Sequence, residues 1–171
     1  TIKSVNENLQ NYRIGEVASE LYDFFWSKYC DWYIELSKIN KNEEVLVYVL
    51  NQFLKLLHPI MPHITEAIWQ KMPIKKDTIG ILASSYPKYS AEFDFKDDAQ
   101  KMQTVFDAIK ALRNLRAEFN IPLGSKINII IDNNEDLYSQ IIPYLEKLAK
   151  VDDIKFDKNS QIKKSAYCVV G

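Results

Sequence analysis

The chain has 171 residues, 47% hydrophobic and 26% charged, with a formal net charge of −1. That length suits one domain or one plus a small appendage, and that apolar content excludes a disordered chain. A charge so near zero excludes a global field for nucleic acid, so any such site must be a local patch.

No apolar run approaches the roughly 20 residues that cross a bilayer, which predicts no membrane partner. The opening Thr1, Ile2, Lys3 and Ser4 form no secretory signal and lack an initiator Met, which predicts a piece of a longer chain. Cys30 and Cys168 lie far apart without metal-ligand spacing, the pattern of a reduced, cytosolic protein.

Residues 1–12 read as a short helix with Ile2, Val5, Leu9 and Tyr12 on one face. From Gly15 to about Ile39 the spacing predicts a long aromatic helix. Leu21, Phe25, Trp32 and Leu36 share one side, and Tyr22, Trp26, Tyr29 and Tyr33 widen the apolar band enough for more than one neighbour. Asn42 is placed to cap the next helix, with Glu43 and Glu44 suiting its dipole. That helix must end or bend at Pro59 and Pro62, and Pro62 can open its continuation to about Met72.

Residues 73–97 show little periodicity, and the apolar stretch 79–87 predicts an extended strap across a bundle. Asp97 and Asp98 start another helix, whose buried face is Met102, Val105, Phe106, Ile109, Leu112 and Phe119. Asn120, Pro122 and Gly124 stop it. The pattern then changes. Residues 126–131 are β-branched and read as a strand, 137–149 as a helix with Pro143 a defect near its middle, and 154–156 and 166–170 as short strands. The fold class expected is mainly α: a helical bundle over 1–122 and a small α+β appendage over 123–171.

Chemistry-bearing groups are few. His58 and His63 are the only histidines, five apart across two prolines, which does not suit a zinc site on one unbroken helix. Cys30 lies in an aromatic helix face and reads as a small core residue. The four glycines are scattered, so no phosphate-cradling loop is present. Asp97 with Asp98, and Asp152 with Asp153, sit at element ends and read as turn and cap residues. The aromatics of 24–33 read mainly as core, with a stacking surface for bases as the alternative.

The informative cluster is Lys110, Arg113, Asn114 and Arg116. Two of the chain's three arginines stand here, three apart on one helix face, with Lys110 a turn before. Such a stripe either neutralises phosphates or pairs with acids such as Glu118. No catalytic or metal-ligating residue is expected.

Four segments, in order, carry a resemblance. Residues 12–16 with 21–26 and 30–35 resemble YRFGEAA…LYDFxWxxFCDWYIE. Residues 57–70 resemble HPFMPFITEEIWQ, with His63 for Phe and Ala67 for Glu. Residues 81–87 resemble SIMxxxWP, with Tyr86 for Trp, and 113–122 resemble RNIRAEMNIP. These are motifs of the anticodon-binding domain of the class I aminoacyl-tRNA synthetases for valine, isoleucine and leucine, and the last is typical of the valine enzymes. The resemblance implies a region that holds the anticodon arm of a valine-specific tRNA in cytoplasmic translation, beside the other domains of its synthetase. It implies ATP as a substrate of that enzyme and no cofactor in this region. Neither class I signature, His-x-Gly-His or Lys-Met-Ser-Lys-Ser, occurs here, so no catalysis by this chain itself is expected. The alternatives are the isoleucine counterpart and a helical protein–protein module without RNA.

Overall fold

Helix α1 (Ile2–Gln10) buries Val5. The chain then turns at Tyr12, whose φ is 57°, so Tyr12 leaves the helical face on which its spacing placed it and is 90% exposed. This computed structural model describes residues 1–76, 78–122, 124–132, 138–139, 141–157 and 166, and the chain divides into two compact units, Thr1–Glu92 and Phe93–Gly171.

In the first unit, α2 (Ile14–Asp23) buries Val17 and Leu21 and runs without a break into a π-helical stretch, π1 (Phe24–Ile34), and a last α turn, α3 (Glu35–Ser37). The long aromatic helix is present, with a wider winding than its spacing suggested. Side chains four apart share one face of this helix. Phe25 stacks on Tyr29 at 5.6 Å between centroids and on Phe53 at 4.4 Å. Each such pair adds roughly 0.5–1.5 kcal/mol beyond burial, which offsets part of the cost of a rare helix type. Tyr29 and Trp32 are buried, but Tyr22 and Trp26 stay 64% and 52% exposed.

Helix α4 (Glu43–Leu57) opens as its sequence requires. Asn42 Oδ1 accepts the Val45 N–H at 3.1 Å, with Glu43 and Glu44 in the first turn. It ends before Pro59, where the Ile60 and Met61 N–H groups both return to Leu57 O. Helix α5 (Pro62–Lys71) then starts with Pro62 in its first turn. The result is two helices meeting at a corner. Thr65 is wholly buried beneath it, its hydroxyl 2.8 Å from Met61 O and 3.1 Å from Pro62 O. That single proton is spent on carbonyls, so the hydroxyl oxygen accepts Nδ1–H of His58 at 2.8 Å. Trp69, 1% exposed, donates Nε1–H to Asn51 Oδ1 at 2.8 Å and ties α5 back onto α4. The core gathers Val5, Val17, Leu21, Phe53, Leu54 and Trp69.

The strap is held chiefly by its backbone. Ile81 is buried, and Glu66 Oε2 accepts its N–H at 2.9 Å. Gln70 Nε2 donates to Glu66 Oε1 at 2.7 Å and to Ile79 O at 2.9 Å. Tyr86 donates its hydroxyl to Leu56 O, and Asn6 its amide to Pro87 O. One-turn 3-10 helices at Ile81–Ala83 and Ala91–Phe93 interrupt an otherwise extended path.

In the second unit, α6 (Lys96–Glu118) carries Asp97 and Asp98 in its first turn and buries Val105, Ala108, Ile109 and Arg116. Phe119, expected on the buried face, is 57% exposed. The helix stops at Glu118, and Asn120 at φ 51° reverses the chain, so Phe119 falls past the helical period. Strands β1 (Ile127–Ile131) and β2 (Val151–Phe156) pair in parallel. Parallel neighbours require a crossover, here containing α7 (Ile142–Ala149). That helix is shorter than the predicted 137–149. Pro143 lies in its first turn, so it marks a start and not a defect. Among the described residues both strands lie beyond Gly124, as the change of pattern predicts. The strand expected at 166–170 falls, apart from Ala166, outside the described residues.

Two outcomes are expected. Asn42→Ala should lose about 1 kcal/mol in chemical denaturation, with Asn42→Asp retaining most of the cap. The second concerns Glu66, whose carboxyl is held below its ordinary value of 4.5 by the Gln70 amide first and the Ile81 N–H second. A depressed folded value stabilises above the unfolded one and is lost as pH falls through it. The stability gap between the parent chain and Glu66→Gln should therefore be constant near neutrality and close as pH drops below about 4.5. A gap of equal size in acid would contradict the strap arrangement.

Candidate nucleic-acid interface

The residues of the basic stripe sit on one unbroken helix, and packing treats them differently. Lys110, Arg113 and Asn114 are exposed, whereas Arg116 is only 6% exposed. Arg116 Nη2 donates to Pro122 O at 2.8 Å and to Ser125 O at 2.6 Å, spanning the turn between α6 and β1. The same turn is closed by Ile121 N–H to Arg116 O at 2.9 Å and Ser125 N–H to Pro122 O at 3.0 Å. Arg116 Nη1 is buried as well, and makes no hydrogen bond among the described residues. Arg113 Nε donates to Leu148 O at 3.1 Å, a carbonyl in the last turn of α7 that no helical N–H reaches.

Spacing therefore places the cations on one helix, and the tertiary fold divides them. Arg116 fastens a turn from inside. Arg113 caps α7 and remains at the surface with Lys110 and Asn114. An exposed Arg or Lys retains donors that suit phosphate oxygens, and an exposed Asn offers both donor and acceptor to a base or sugar.

A second basic group escaped the sequence reading. Lys71 closes α5 and Lys75 and Lys76 lie in the turn after it, and Lys76 Nζ lies 5.5 Å from the centre of the Trp69 ring. Three lysines within six residues were the available signal. His58 is engaged with Thr65, and His63 is exposed in the first turn of α5. Among the described residues no three of His, Cys, Asp and Glu come together as a metal site, and no helix is long and apolar enough to cross a membrane.

The pattern of the family described as "Anticodon-binding domain of tRNA ligase" matches residues 1–131. The chain belongs to this family. The match contains all four segments that carried the resemblance, and it extends through α6 to the end of β1. Relatives with similar sequences are valine–tRNA ligases. That of Lactobacillus johnsonii is 39% identical over 85% of this chain and 18% of its own length. That of Staphylococcus haemolyticus is 36% identical over 99% of this chain and 21% of its own length. That of Halalkalibacterium halodurans is 40% identical over 82% of this chain and 17% of its own length. The chain thus spans about a fifth of the length of the curated relatives it matches. The isoleucine alternative is not favoured by these relatives.

For this anticodon-binding domain the two arginines should separate in a stability measurement. Arg116→Met leaves Ser125 O without this donor and takes one of two donors from Pro122 O, and should cost about 1–3 kcal/mol. Arg113→Met removes one exposed hydrogen bond and should cost about 1 kcal/mol or less. Equal losses in urea denaturation would contradict the division of the stripe.

Proposed function

We propose that this chain is the region of a valine–tRNA ligase that holds the anticodon arm of its tRNA during protein biosynthesis. The observation that carries the reading is the family match over 1–131, which contains an exposed basic stripe on α6. In the full enzyme, ATP activates valine and the aminoacyl group passes to the tRNA end. This chain contains neither class I signature, so its part is binding and orientation, with the chemistry left to the other domains of the same cytoplasmic polypeptide.

Lys110 and Arg113 neutralise backbone phosphates, which positions the arm without reading its sequence. Asn114, on the same surface, bonds to a base edge or a ribose hydroxyl. Arg116 serves the stripe indirectly: it fixes the end of α6, so the residues before it keep their places. Residues 123–171 are the appendage of the anticodon-binding bundle.

The test is a salt series on the complete protein with valine tRNA. Lys110→Gln and Arg113→Gln should each weaken binding, and should make the slope of log affinity against log salt shallower by roughly 0.7–0.9. Arg116→Gln should lower the melting temperature instead. Unchanged affinity and slope in both Lys110→Gln and Arg113→Gln would remove the stripe from the interface. Binding that is insensitive to salt throughout would favour a protein-docking module.

A further inference from the structure

We infer that Lys150, the residue joining α7 to β2, is a phosphate contact for the RNA held by Lys110 and Arg113, and carries the basic surface from α6 onto the appendage. The inference rests on the reading of α6 as a tRNA-binding stripe. It adds to that reading a residue outside the matched 1–131.

The backbone draws attention to this position. Ala149, 1% exposed, ends α7, and Val151, 2% exposed, opens β2 opposite Ile127. Both neighbours are fixed in the core, so the reversal from helix to strand falls on residue 150, which sits at φ 56° and ψ 47°. Its carbonyl accepts the Ile127 N–H at 3.1 Å, which locks that conformation to the sheet. Left-handed backbone brings Cβ too close to a carbonyl oxygen, and helices that end this way use glycine, or else asparagine, at the cap. Among the described residues with positive φ, Asn120 obeys this preference, whereas Tyr12 and Lys150 do not. The lysine is held here at a conformational cost, so its side chain calls for a reason beyond the turn.

The fold supplies none. Lys96, Lys101, Lys126 and Lys155 of the same unit each lie within 3.8 Å of an aspartate oxygen. Lys150 is exposed and has no carboxylate partner among the described residues. The two acids that follow it in sequence are occupied: Asp152 by Lys126 at 2.6 Å and Asp153 by Lys155 at 3.7 Å. The negative end of α7 is served without it, since Lys147 stands in the last turn and Arg113 Nε reaches Leu148 O at 3.1 Å. That last contact also brings the stripe alongside. Residue 150 is two peptide units from Leu148, so its Cα lies at most about 7.6 Å from that of the residue Arg113 touches. An RNA strand whose phosphate is held at Arg113 therefore passes within range of an ammonium on a flexible four-carbon stem.

The experiment measures affinity for valine tRNA across a salt series, with melting, on the complete protein. A phosphate contact at a left-handed position moves the two readouts in opposite directions. Lys150→Gly is expected to melt higher than the parent, because glycine suits the conformation. It is expected to bind several-fold more weakly at low salt, with a slope of log affinity against log salt shallower by roughly 0.7–0.9. Lys150→Arg should retain the parental slope. Unchanged affinity and slope in Lys150→Gly would overturn the inference and leave the lysine a cap. Weaker binding at an unchanged slope would overturn it too, since the loss would then come from the fold. Lys150→Asn, which tolerates the same backbone, guards against a misfolded glycine variant; a full parental slope there counts against the contact. Lys110→Gln separates this inference from the reading beneath it. A slope altered by Lys110→Gln and untouched by Lys150→Gly rejects the contact alone. A parent protein that binds valine tRNA without salt dependence rejects the stripe, and the contact with it.

Discussion

The first unit depends on a missing N–H. Pro59 and Pro62 cannot donate, so the helical ladder that begins at Glu43 has to stop at Leu57 and restart at Pro62. Breaking a ladder leaves polar groups to be satisfied inside an apolar bundle. Tyr86 does this for Leu56 O, whose helical donor, the Ile60 N–H, turns to Leu57 O, while Thr65 braces the first turn of α5 from beneath, its hydroxyl on the carbonyls of Met61 and Pro62 and His58 on its lone pair. Because the corner is closed this way, Trp69 can swing back to bond Asn51 and fill the core. The strap then finds Glu66 and Leu56 in position to hold its backbone. A Val at 65 would keep the shape and lose these bonds, which is why a buried polar residue belongs at this point.

The second unit solves its own version of the same problem with arginine. The end of a long helix and the turn after it expose carbonyls that no helical N–H reaches. Arg116 answers two of them, at Pro122 and Ser125, and Arg113 answers one at the end of α7. A motif that looks like a phosphate-binding stripe is thus partly internal carpentry.

The π-helical stretch has a different logic. Phe25 and Tyr29, four apart, share a face and stack, and Phe25 also packs onto Phe53, so the aromatics form a column. The same geometry leaves Tyr22 and Trp26 on the open side, beside the pocket that Met61 helps to line. Aromatic content by itself therefore did not measure how much of this helix is core.

Local chemistry determined much of this protein before any folding. The Asn42 cap, the stop at Pro59, the start at Pro62 and the change to strands past Gly124 are all written in one turn of sequence each, because proline geometry, cap hydrogen bonds and side-chain period act over a few residues. So was the family, since its motifs are short contiguous runs, all lying within 1–131. Tertiary structure alone decided the rest. Helical spacing placed Arg113 and Arg116 side by side, but only the returning turn at 120–125 buries one and leaves the other at the surface. Pro143 read as a defect because nothing local says where α7 begins. Phe119, Tyr22 and Trp26 looked like core because apolarity favours burial without naming a partner. Whether a side chain is covered depends on residues distant in sequence, and a helical period carries no record of them.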